Sequence, residues 1–169
     1  MRKSIFGMGA ALAIALAVAV AVLTLRGAGN AGTRLALELT ARWSFLLFFL
    51  AYARNAVAQL FSVDVLAGKG REFGLAFAAA HLVHVGLVSW LYHIALKPVL
   101  GPGLFVFFML GLFWAYLLAG LSFGGVQKIG QRAWGWIRFV GMNYILIAFG
   151  RDFVLPVLYP KPSQYNVAH

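Results

Sequence analysis

The chain has 169 residues, of which 63% are hydrophobic and 11% charged, and its mean hydropathy is +0.88. A soluble domain is about half apolar and about a quarter charged, so a soluble globular domain and a disordered chain are both excluded. There is no cysteine, which removes disulfides, thiolate metal sites, iron–sulfur clusters and a cysteine nucleophile. The net charge is +10. The basic residues lie mostly between apolar blocks, where they set topology and meet anionic headgroups, so the charge does not point to nucleic acid.

The apolar blocks are about twenty residues long, the length that crosses a bilayer as helix. The fold class expected is therefore all-α: a polytopic transmembrane helix bundle with about five spans. The first block, residues 6–25, follows Arg2 and Lys3. It is longer than the apolar region of a secretory signal, roughly 7–15 residues. An uncleaved anchor helix is expected, with residues 1–34 forming anchor and linker. Gly9, Ala13, Ala17 and Ala21 repeat every four positions, a spacing that suits a close helix contact.

A linker is expected over residues 26–34. Block two starts near Leu35, with Glu38 and Arg42 placed to pair on one helix face. Arg54 interrupts its apolar core, and Asp64 stands near its end. Block three, residues 73–96, carries His81, His84 and His93 and is expected to stop at Lys97-Pro98. Block four, residues 104–123, is aromatic and uncharged. It ends in Gly120-Leu121-Ser122-Phe123-Gly124, read either as a GxxxG contact or as the start of a loop. Block five, residues 134–153, holds Arg138, Asn143, Arg151 and Asp152, and Pro156 should disfavour helix beyond it. A short polar tail, residues 159–169, follows the bundle of residues 35–158.

Lysine and arginine counts in the connections differ by one: Arg2, Lys3, Lys69, Arg71, Lys128 and Arg132 on one side, Arg26, Arg34, Arg42, Lys97 and Lys161 on the other. That bias places the N-terminus in the cytoplasm. No soluble domain, phosphate loop, GxSxG or HExxH is present, so no catalytic residue is assigned.

Three histidines in one membrane helix form the most informative pattern, because intramembrane ionisable groups usually face a cavity, a partner or a cofactor. His81 and His84 share a face, and His93 lies about 180° away. They cannot converge on one metal. His84 or His81 reads as an axial haem ligand, or as a hydrogen-bonding group between helices. Arg54, Arg138 and Arg151 each need a partner or a route to headgroups. Arg138 and Arg151 stand thirteen residues apart. That is about 20 Å of helix, less than the roughly 30 Å hydrocarbon core. Arg138 is expected to snorkel, and both arginines are candidates for lipid-phosphate or propionate contacts. Asp152 is a poor partner for Arg151, since adjacent side chains diverge on a helix.

The order of these features resembles the ferric-reductase-like transmembrane domain family. Within it the likeness is greatest to the haem-binding membrane subunits of bacterial methionine sulfoxide reductase systems. Leu39-Thr40-Ala41-Arg42 stands where the family often has Leu-Thr-Gly. Arg71-Glu72-Phe73-Gly74-Leu75, with His84 ten residues after the glycine, is similar to the family's Arg-Arg-x-Leu-Gly-Leu and helix histidine. Leu121-Ser122, Ile129-Gly130 and Trp134 are similar to its Thr-Ser loop, Leu-Gly and tryptophan. The resemblance covers residues 35–153 and implies a haem-carrying ancestor with imidazoles from different helices on the iron. Two family histidine positions hold Arg138 and Arg151 instead, and a guanidinium has no lone pair for iron. The resulting expectation is a bundle with no cofactor, kept as an accessory subunit among lipid and other membrane subunits. The rivals are a b-type haem electron-transfer subunit using His84, and a transporter of an anionic solute.

Overall fold

The computed structural model describes residues 2–62, 68–95 and 100–158, with side chains described from residue 4 to residue 153 except Val126. Its elements are α1 (Arg2–Arg26), α2 (Asn30–Phe61), α3 (Gly70–Ile94), α4 (Pro102–Gly120), a π-helical turn (Leu121–Gly125), α5 (Val126–Ile129) and α6 (Gln131–Leu158). Four helical stretches are long and apolar enough to cross a membrane: Ser4–Arg26, Asn30–Phe61, Gly70–Ile94 and Pro102–Gly125. The chain is an all-α membrane helix bundle. The fifth long helix, α6, has 28 residues, about 42 Å at 1.5 Å per residue, and carries the arginines of block five.

Several boundaries differ from the sequence reading. The linker shrinks to Gly27–Gly29 because α2 starts early: Thr33 N–H bonds Gly29 O at 2.9 Å and closes a first turn. Arg54 does not interrupt α2, which runs unbroken to Phe61; an arginine is a good helix former whatever its cost in lipid. Helix α6 continues through Pro156 to Leu158. A proline in the last turn forfeits one backbone bond and leaves the rest of the helix intact. The Gly120–Gly124 stretch is a loop entry, because Gly124 takes φ +132° inside the π turn, a backbone region open to glycine. Asp64, Lys97, Pro98, Lys161 and the tail lie outside the described residues.

Helices α1, α2 and α3 pack on one another, and α4 packs on α6. Successive long helices run antiparallel, as shown by Trp43 against Ala11, Tyr116 against Ala78 and Tyr144 against Phe107. Lipid gives helices no hydrophobic drive to associate, so small residues that allow close approach dominate the contacts. On α1 the buried residues are Ser4, Ala11, Ala15 and Ala19. The three alanines share one core with Ala36 of α2 and Ala76, Ala80, Val83 and Leu87 of α3. The stripe picked out from spacing, Gly9, Ala13, Ala17 and Ala21, is instead exposed. Spacing alone could not choose between two alanine faces of the same helix.

Two indoles donate to the backbone of α1 and of the turn that follows it. Trp43 Nε1–H donates to Ala11 O and Trp90 Nε1–H to Ala28 O, each at 3.1 Å. The α4–α6 pair closes on glycines. A Cβ at Gly141 would come within 2.9 Å of Trp114 and Leu118, and Tyr144 O–H donates to Phe107 O at 2.9 Å.

Replacing Ala15 by Leu should destabilise the bundle by about 1–3 kcal/mol, the usual effect of overfilling a packed contact. Replacing Ala17 by Leu should leave the folded chain unchanged. Reversible unfolding in mixed detergent measures both.

Candidate functional site: a histidine pair and an arginine-lined cavity

The α1–α3 trio meets the α4–α6 pair along a seam of aromatic side chains. Phe48 of α2 packs against Phe77 of α3 and Phe149 of α6, with ring centroids 5.5 and 5.7 Å away. Phe45 adds contacts to Phe149 and Phe153 at 5.4 and 5.0 Å. Edge and tilted arrangements of this kind are favourable beyond the area they bury.

The histidine pair lies at the margin of the seam. His81 and His84, both on α3, stack with ring centroids 5.1 Å apart and an interplanar angle of 16°. Thr40 Oγ1 lies 2.8 Å from Ala36 O, to which its hydroxyl donates, and 3.3 Å from His84 Nδ1, a contact that ties α2 to α3. His81 faces Phe77 at 5.3 Å and Phe149 at 6.0 Å, and its buried Nδ1 has no partner. His93 stands apart near the end of α3, exposed beside Trp90. The face shared by His81 and His84, and the isolation of His93, follow the sequence reading.

The arginines separate. Arg151 lies 5.8 Å from the ring centre of Phe108 on α4 and 3.3 Å from Asp152 Oδ1. Both partners of this pair are partly exposed, so it adds little stability. It does not reach the histidines. Arg138 is exposed and lines a cavity of about 680 Å³ at the end of the bundle where α2 finishes and α3 and α6 begin. Arg54 and Arg71 line the same cavity. Arg54 is half-buried, its Nη1–H donates to Ala51 O at 2.9 Å, and its Nε is buried without a partner. Its guanidinium lies over Gly70, where a Cβ would collide with it. Tyr52 O–H donates to Asn143 Oδ1 at 3.1 Å and so links α2 to α6 across the cavity wall. Among the described residues no carboxylate lines this cavity.

Helix α6 turns Phe149 toward His81 and Arg151 toward α4, and no imidazole from another helix faces His84 among the described residues. Nor does any group of three His, Cys, Asp or Glu among them form a metal site. The meeting of Arg71 with Arg54 and Arg138 was not foreseen from the sequence. Arg71 reads there as a loop charge, and nothing in one sequence reports which helix ends will line the same cavity.

No family model matches the chain, and no curated protein or solved structure shows significant similarity to it.

Thr40→Val keeps the shape and removes the Oγ1 contact with His84. It should cost about 0.6–1.7 kcal/mol, the range measured for hydrogen bonds between membrane helices, read by unfolding in detergent.

Proposed function

We propose that the chain is a divergent ferric-reductase-like bundle that has lost the haem histidine pair and serves as an accessory or structural subunit of a larger membrane complex. It performs no catalysis alone. The observation that carries the reading is the contact face of α6: Phe149 stands against His81, and the family's histidine positions hold Arg138 and Arg151. The aromatic contacts of Phe149 with Phe77 and His81 support an interior without a cofactor between α3 and α6. The bundle sits in the bacterial inner membrane with its N-terminus in the cytoplasm. Lys69, Arg71, Lys128 and Arg132 gather at one end, which supports that orientation.

A second reading, a b-type haem electron-transfer subunit working with a separate oxidoreductase, is favoured by one contact. Thr40 Oγ1 stands 3.3 Å from Nδ1 of His84, and a ligating histidine is commonly oriented by a hydrogen bond at its other ring nitrogen.

Absorption spectroscopy of protein purified from haem-replete cells separates the two. The accessory-subunit reading expects no Soret band. Stoichiometric haem that disappears in His84→Ala would establish the second reading.

Orientation has its own test in this cysteine-free chain. A cysteine at Gly29 should react with an impermeant maleimide from outside the cell, and one at Gln131 only after the cytoplasmic face is opened. The reverse pattern would invert the topology.

A further inference from the structure

The cavity at the basic end of the bundle is lined by three permanently charged groups, and among the described residues no carboxylate lines it. Arg54 comes from α2, Arg71 from α3 and Arg138 from α6. Like charges on one cavity wall repel, and the half-buried Arg54 also gives up part of its hydration. An anion in the cavity would relieve both costs.

The geometry points to a phosphate. A guanidinium offers a planar fork that matches phosphate oxygens two at a time. Arg54 has one buried N–H, at Nε, without a partner. Asn143 and Ser122 add neutral polar groups to the wall. The start of α3 contributes further positive potential: its N-cap, Lys69, makes no side-chain cap bond, and the helix runs 25 residues. Depth agrees as well. Arg54 lies seven residues before the end of α2 and Arg138 seven residues after the start of α6. That is about 10 Å inside each helix end. Helix α2, with 32 residues, overruns a roughly 30 Å hydrocarbon core by about 9 Å on each side. The arginines therefore stand at the boundary between acyl chains and headgroups. Exposed Trp136 and half-buried Trp134 flank them on α6, at the level where tryptophan anchors in the interface.

We propose that this cavity is a phosphate-binding site, taking the phosphate of an anionic phospholipid headgroup or a free phosphate from the adjoining aqueous phase. The inference does not depend on the ferric-reductase resemblance.

Native mass spectrometry of the detergent-purified chain, with phosphatidylglycerol, phosphatidylcholine or inorganic phosphate added, tests it. Wild type should retain phosphatidylglycerol over phosphatidylcholine, or bind inorganic phosphate, and the responding ligand identifies the source. Arg138→Gln should reduce retention about tenfold, as expected for loss of a charge-assisted pair. Arg138→Lys, which keeps charge but loses the fork, should recover only part of it. Lys128→Gln, a charge at the same end outside the cavity, should change nothing. Arg138 is exposed, so its replacement leaves folding intact, which helicity by circular dichroism checks. Three results would overturn the proposal. One is equal, substitution-insensitive retention of both lipids with no phosphate adduct. Another is an effect of Lys128→Gln as large as that of Arg138→Gln. The third is a porphyrin adduct that depends on Arg138.

Discussion

The close approach of α1 to α3 is the contact on which the rest of this bundle depends. Bilayer hydrocarbon is as apolar as the helices, so burial of leucine earns nothing there and only fit remains. Ala11, Ala15 and Ala19 provide that fit against Ala76 and Ala80. With α1 seated, Trp43 finds the Ala11 carbonyl and α2 is fixed against α1. The position of α2 then sets Phe48 at the seam and Thr40 beside His84. An N-terminal helix that looks like a simple anchor thus forms one wall of the trio.

The two halves of the molecule are joined differently. The trio is sealed by small residues, whereas the α4–α6 pair leans on it through phenylalanines and through tyrosine bonds from Tyr116 and Tyr52. Large rings hold the backbones of α2 and α6 farther apart than alanines would. Past Phe48 and toward Arg54 the space between the helices is left as a cavity whose wall is partly aromatic, with Tyr52, Trp134 and Phe139 beside the arginines. The arginine-lined space is in this sense a consequence of how the seam is packed.

Much of the fold was legible because membrane spans announce themselves by length and hydropathy. The helix class, the i,i+4 pairing of Glu38 with Arg42 and the shared face of His81 and His84 all follow from local periodicity. What was not legible is rotational and long-range. Both alanine stripes of α1 have the same spacing, and only the neighbours choose Ala11, Ala15 and Ala19. Arg54 looked like a break in block two because hydropathy weighs lipid cost, while backbone geometry responds to helix propensity. Arg138 and Arg151 looked equivalent as two replaced histidines. The structure gives one to the cavity and the other to Phe108 and Asp152, since thirteen residues do not bring two side chains to the same depth.

That separation gives the two arginines different surroundings. An arginine near the end of a helix reaches polar surroundings through its long stem, so Arg138 needs no compensating acid beside it. Arg151, toward the opposite end of α6, has Asp152 beside it and the face of Phe108 beneath. Each side chain is thus accommodated by a different local device, and neither needs the other. Phe149, which lies between them on α6 and packs on Phe48, Phe77 and His81, fills the interior independently of both. The interior seam and the basic end can therefore vary separately, with the seam holding the helices together and the arginines left to the chemistry of the membrane surface.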